Sequence, residues 1–466
     1  MASQLVGQER RDFWLVSTGQ LLVFCGFFAF FQFPLYIKAV GGTELSVGII
    51  MGVTSLAATF LLPWITAMSD RVERKGMMLA GIALVELATM LTMFTVAPDL
   101  WMAALMILRG LGMAVYMNAS GAYVAQILPP RERSRWIGIN FGFNQVATAL
   151  GPLMAEIAIR YVGFTYYFFL CTAFVYAGML MVVLVHRRAP PPPVLPFQAA
   201  RAYTGFLRGL LGPHFRNPFL ALVLMAGALG AVTNFTATYT QTLGLSSGLF
   251  FANYALINAV SRFGGGGLAD RYGRTAIVLP MLVLYFAGIY LFSFTTNTPM
   301  MLASGLLIGL GFGLSNPALL ALMLDRVPYT MQGQAIGTFH FAYQVGFLIL
   351  PPLFGVIAET VGYRPMWWVA GLMPLAALAM YLLPEHRPQT VGEAAALPTS
   401  SSAAAPVAGP TALPVPPAAA PAPRPAGQAR RTAGAAPTVD AAREAARQAA
   451  QRRAHQRQAA RPKGPA

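Results

Sequence analysis

From Phe13 onward the chain reads as long apolar stretches separated by short polar breaks. The stretches begin near Phe13, Leu45, Gly76, Leu100, Arg135 and Phe164, and again near Phe219, Ser247, Thr275, Met300, Gly333 and Pro365. Each runs for about 20 residues or more, the length of α-helix that crosses a bilayer core. Backbone groups in lipid must bond within their own segment, so helices are predicted throughout. Twelve result, six on either side of a polar, basic loop that carries four prolines, Pro190 to Pro193. The predicted organisation is a short segment 1–12, a six-helix bundle 13–186, the loop 187–217, a second bundle 218–384 and a tail 385–466.

Composition agrees with that pattern. The chain is 56% hydrophobic and only 10% charged, where soluble domains are near 25% charged. The opening run is too long for a cleavable signal and has no small-residue cleavage site. Cys25 and Cys171 lie inside apolar runs, so no disulfide framework is implied.

A net charge of +16 raises the question of nucleic acid, and its placement argues against that partner. Of 32 Lys and Arg, 17 fall on the side of the amino terminus, against three (Lys38, Arg160, Arg364) on the other. This is the positive-inside bias, and it predicts both termini in the cytoplasm of a cell whose inner or plasma membrane holds the chain. Ten further basic residues lie in the tail beyond Arg387. Its Ala- and Pro-rich part, Glu393 to Pro437, is expected to be disordered, and a solvated helix is expected over 439–460.

The two halves repeat. GGLADRYGR, Gly266 to Arg274, closes one apolar run, and SDRVERK, Ser69 to Lys75, closes another, with Asp70 and Asp270 200 residues apart. Ile137-Gly138, Gln145-Val146 and Pro152-Leu153 match Ile336-Gly337, Gln344-Val345 and Pro352-Leu353 at nearly the same offset. The pattern G-x-x-x-D-R-x-G-R is complete at Gly266, Asp270, Arg271, Gly273 and Arg274. It resembles the signature between spans two and three of major facilitator superfamily transporters, and its repeat between spans eight and nine. The first copy keeps Asp70, Arg71 and Arg74, with Thr66 and Glu73 in place of glycines.

The resemblance covers about Phe13 to Pro384. It implies an all-α fold of two pseudo-symmetric six-helix bundles, with a substrate cavity between them at mid-depth and alternating access. It also implies that the Asp-Arg motifs gate the cytoplasmic side, Asp70 facing the start of span 11 near Gly333. Arg109-Gly110-Leu111-Gly112 resembles the family's span-4 pattern in reduced form. Ala147 to Glu156, with Gly151-Pro152 inside, resembles the span-5 motif of the antiporter branch, its last glycine replaced by Glu156. A Gly-Pro pair also predicts a helix kink.

Ionisable groups inside spans are costly and mark function by default. Glu86, Arg109, Glu156 and Arg262 qualify. Arg109 needs an offsetting carboxylate, and Glu86 and Glu156 are the candidates, either as a proton-coupling set or as a fixed structural pair. Stripes at helical spacing outline a cavity: Gln20, Phe24, Phe28 and Phe31 in span 1, and Asn140, Asn144 and Thr148 with Gln145 in span 5. Asn234, Thr238 and Gln241 form a third in span 7, and His340, Tyr343, Gln344 and Phe347 a fourth in span 11. No nucleotide loop, metal-ligand cluster or nucleophile elbow occurs, so no cofactor, no metal and no enzymatic activity are expected. The expectation is a monomeric transporter in lipid that exports a small amphipathic molecule in exchange for protons. The alternatives are uptake of a sugar-like solute and a non-transporting sensor or scaffold.

Overall fold

The computed structural model describes residues 7–69, 72–129, 132–187, 216–325 and 332–382. Asp70 and Arg71, most of the 187–217 loop and the tail from 383 lie outside the described residues, as do the side chains of Asp270, Arg271 and Arg274.

Among the described residues the chain is helical in twelve membrane-length segments. The first, α1, is Gln8–Ala39, interrupted by a 3₁₀ turn at Ala29–Gln32. The second, α2, joins Glu44–Gly52 to Leu56–Ser69 through another 3₁₀ turn, Val53–Ser55. Then follow α3 (Arg74–Thr92), α4 (Leu100–Ile127), α5 (Arg133–Tyr161) and α6 (Phe164–Val183). The second half has α7 (Arg216–Thr242), α8 (Ser247–Tyr272), α9 (Arg274–Phe292), α10 (Thr298–Asp325), α11 (Gln332–Thr360) and α12 (Tyr363–Leu382).

The loops away from the termini, the distal end, carry matched cap chemistry in the two halves. Thr43, Asp99, Ser246 and Asn297 each accept a backbone N–H three residues on, at the starts of α2, α4, α8 and α10. The turns before α6 and α12 pivot on Gly163 and Gly362, at φ of 99° and 101°, a conformation that costs other residues more.

Packing repeats as well. In the first half α1 lies on α5 and α6, α3 on α4 and α6, and α2 on α4; in the second α7 lies on α11 and α12, α9 on α10 and α12, and α8 on α10. These are two bundles of one plan, related as the sequence repeat requires. At α3 and α4, Gly81 and Gly112 let the backbones touch: a Cβ on Gly81 would stand 2.6 Å from the Tyr116 nitrogen. Lipid gives little drive for helices to associate, so close contact of this kind holds them together. Leu100, Phe94, Leu256 and Leu372 remain outward, as apolar solvent allows.

The halves meet distally along two seams that the pseudo-symmetry exchanges, α5 with α8 and α2 with α11. Gly48 of α2 sits against the Pro351 carbonyl of α11, and Gly355 of α11 against the Glu44 carbonyl. On the other seam, a Cβ at Gly248 would be 2.8 Å from Cα of Leu153.

Candidate transport site

Arg109 is almost wholly buried, at 2% exposure, on the face of α4 toward the break in α1. Its Nη2 donates to the carbonyls of Gly26 (3.3 Å) and Phe27 (3.0 Å), just before the 3₁₀ turn. The guanidinium lies 3.5 Å over the Phe30 ring and 4.4 Å from that of Phe27. A desolvated cation over an aromatic face is stabilised by about 2 kcal/mol. Carbonyl dipoles and ring faces thus take up much of this charge. Tyr167, Cys171 and Glu86 complete its electrostatic surroundings.

Glu86 on α3 is also buried, next to Thr172 of α6. The Thr172 side chain lies against this carboxylate, which forms no ion pair with Arg109 within 4.0 Å. Buried carboxylates are normally paired, so Glu86 and Arg109 are a loosely coupled couple of opposite charges.

Glu156 stands elsewhere. One of its oxygens accepts from the Ser246 hydroxyl (2.9 Å), the Ser247 hydroxyl (3.3 Å) and the Gly248 backbone N–H, all at the start of α8 in the other half. The structure does not join it to Arg109. Ser247 also bonds Gln32 (2.7 Å), the last residue of the α1 turn, whose amide donates to the Pro152 carbonyl as well. The helix α5 runs unbroken through Gly151-Pro152. Gly151 lets α1 approach: its Cβ would lie 2.6 Å from the Cys25 carbonyl.

Deeper along the same seam, Gln145 of α5 donates to Asn258 of α8. Asn258 also receives Nε of Arg262 (2.9 Å) and donates to the Tyr254 hydroxyl (3.3 Å). The aromatic stripe of α1 crosses the gap too. Phe24 stacks toward Phe28 and Phe28 toward Phe31, each 5.3 Å apart, and Phe31 meets Phe251 of α8 at 5.0 Å.

The other predicted polar positions divide. Asn140 donates to Ser17 of α1 (3.1 Å), a bond within the first bundle. The Asn144 carbonyl takes the Thr148 hydroxyl, and Gln20 is buried. Asn234 is buried with its amide nitrogen unpaired, and Thr238 bonds back to its own helix at Phe235. Gln241 lies exposed at the distal end of α7. His340 is exposed and edge-on to Phe339, which Tyr343 also stacks against, while Gln344 is half-buried. Of the motif residues, Arg74 is buried and donates to the Ala122 carbonyl and to Gln126, and Gly273, at φ 89°, separates α8 from α9.

Sequence reading missed Gln32, Ser246, Ser247 and Asn258, because each is an ordinary polar residue until the opposite half arrives. It also missed Asp12, buried in the first turn of α1. Asp12 accepts from the Tyr123 hydroxyl (3.1 Å) and contacts Nδ1 of His186 (3.0 Å), tying α1, α4 and the end of α6 together. Lys75 donates to the last carbonyl of α6, at Val183, and to that of Val185 just beyond it.

Two six-helix bundles of one plan, joined across polar and aromatic seams, define a membrane transporter of the secondary type. The model of the Major Facilitator Superfamily matches residues 16–328 and 246–439, and the chain belongs to that family. It is 24% identical over 345 residues to an uncharacterized MFS-type transporter of Methanocaldococcus jannaschii, covering 72% of this chain and 87% of the relative. It is 22% identical to the staphylopine export protein of Staphylococcus aureus, over 76% of this chain and 91% of that one. The quinolone resistance protein NorA of the same organism is 26% identical over 37% of this chain and 45% of its own length. Among solved structures, the nucleoside transporter NupG has the same fold at a TM-score of 0.65, with 12% identity over 81% of this chain and 100% of NupG. A bacterial homologue of the human lysosomal transporter Spinster also aligns at 0.65, with 14% identity over 82% and 97%.

Proposed function

We propose that this protein is an alternating-access exporter of small amphipathic molecules, driven by protons. The observation that carries the reading is the buried pair of Glu86 and Arg109. A buried carboxylate without a direct ion pair, beside a compensated guanidinium, can take up and lose a proton while a cation remains to balance it. The pair adjoins the break in α1, so a change of charge at Glu86 acts on the aromatic stripe that reaches the other half. Half-buried Phe28 and Phe31, backed by buried Phe24 and Phe251, offer an apolar wall, and half-buried Gln145 and Arg262 offer hydrogen bonds, which together suit an amphipathic substrate.

The basic bias places the termini in the cytoplasm. The distal seams then close the outer side. Two of the relatives are named for export or drug resistance, which favours the outward direction. The test uses inverted vesicles with an acidic lumen and a panel of quinolones and lipophilic dyes. Accumulation that a protonophore abolishes is the expected result. Accumulation of panel compounds only in right-side-out vesicles would overturn the export reading.

A further inference from the structure

Glu156 is not alone in reaching across the halves. At the end of α11, Glu359 accepts the backbone N–H of Leu45, at the start of α2, at 3.0 Å. The hydroxyl of Thr43, which caps α2, lies against the same carboxylate. Both contacts have one construction. A carboxylate near the distal end of a pivoting helix (α5 or α11) enters the amino-terminal turn of a helix in the opposite bundle (α8 or α2). Each receiving helix is capped by a hydroxyl residue, Ser246 or Thr43, and each seam has a glycine at the contact, Gly248 or Gly355.

The first turn of a helix presents unsatisfied N–H groups and the positive end of its dipole, so an anion is stabilised there. The contacts exist only while the distal ends are together, because carboxylate and receiving helix belong to different bundles. Separation would leave each carboxylate and each set of N–H groups to water. The bonds therefore favour the distally closed state, and only by their difference between the two states.

We infer that Glu156 and Glu359 are a pair of charge-held latches for the distal gate, one on each seam, released whenever the transporter opens on that side. The latches are unequal. Glu156 is half-buried and collects three donors, with Gln32 of α1 bracing one of them, Ser247. Glu359 is exposed, takes one backbone donor and shares its surroundings with Lys38. Glu156 should dominate. The inference rests on the alternating-access reading, yet its test needs no substrate.

Spin labels at Val162→Cys and Val361→Cys, both exposed distal positions in opposite halves, report the separation of the distal ends. The native cysteines are buried. Glu156→Gln keeps shape and removes charge, and should raise the distally open fraction on the order of tenfold. Glu359→Gln should raise it roughly threefold, and the double variant by about the product. Should Glu156→Gln fail to accumulate, Ser246→Ala replaces it, removing one donor and the α8 cap. Distances unchanged in both single variants overturn the latches, as does a larger effect of Glu359→Gln than of Glu156→Gln. A shifted distance without vesicle transport would remove the exporter reading and keep the latches. Normal transport without a shift would do the reverse.

Discussion

Arg109 shows how a charge is held in an apolar bundle. A guanidinium cannot shed its proton, so its burial must be compensated in place. Two carbonyls before the α1 break and the faces of Phe27 and Phe30 do this directly, and Glu86 acts through space. Lysine has neither the planar fork nor the stacking surface, so Arg109→Lys should be nearly as damaging as Arg109→Gln. Both should lose about 3 kcal/mol, measured by unfolding of the purified protein in detergent. Glu86→Gln keeps the shape and an oxygen that faces Thr172, and should cost less than about 1 kcal/mol. Vesicles carrying it should still exchange substrate while ceasing to respond to a pH gradient. Full gradient-driven accumulation in that variant would leave Glu86 a packing residue. The double variant should be less destabilised than the sum of the singles, because each charge offsets the other.

Between elements, the seams are built by what is missing. Gly48 and Gly355 admit the carbonyls of the facing helix, and no larger residue fits there without displacing backbone. Gly48→Leu should therefore hold α2 and α11 apart and bias the protein toward distal opening, seen as labelling of a cysteine placed at Ser46. Gly76→Ala is the matched control, since nothing lies within 4 Å of its added Cβ; it should leave labelling unchanged. The existence and order of the helices were legible because an apolar run of bilayer length has no other stable conformation. The interruptions at Ala29–Gln32 and Val53–Ser55 were not. Their residues are apolar or mildly polar, without proline, and the departure from α geometry matches contacts with other helices. At Gly151-Pro152 the sequence pointed to a local bend, and what it could not show is that the glycine also serves close approach of α1.

For the whole molecule, orientation is the property on which every sidedness argument depends. The unequal loops predict that a tag at Ala466 is protected from protease in intact cells and cleaved in inverted vesicles. Cleavage from outside would reverse the orientation and make the distal seams a cytoplasmic closure. Truncation after Arg387 removes ten basic residues and should leave insertion intact, read as unchanged membrane yield, because the charges that orient the spans lie in the short loops.

Sequence alone determined the all-helical membrane character, the six-and-six division and the family, because bilayer thickness, loop charge and repeated motifs are written along the chain. It also marked Glu86, Arg109 and Glu156 as costly charges that need a reason. Partners were decided only by the tertiary structure. Glu156 looked like a match for Arg109 on grounds of charge, yet it binds the start of α8 with Ser246, Ser247 and Gly248, almost a hundred residues on. Glu359 carried no signal at all until α11 met Leu45 of α2. A hydrogen bond depends on distance and direction, and for residues in opposite halves those are set by how the bundles dock.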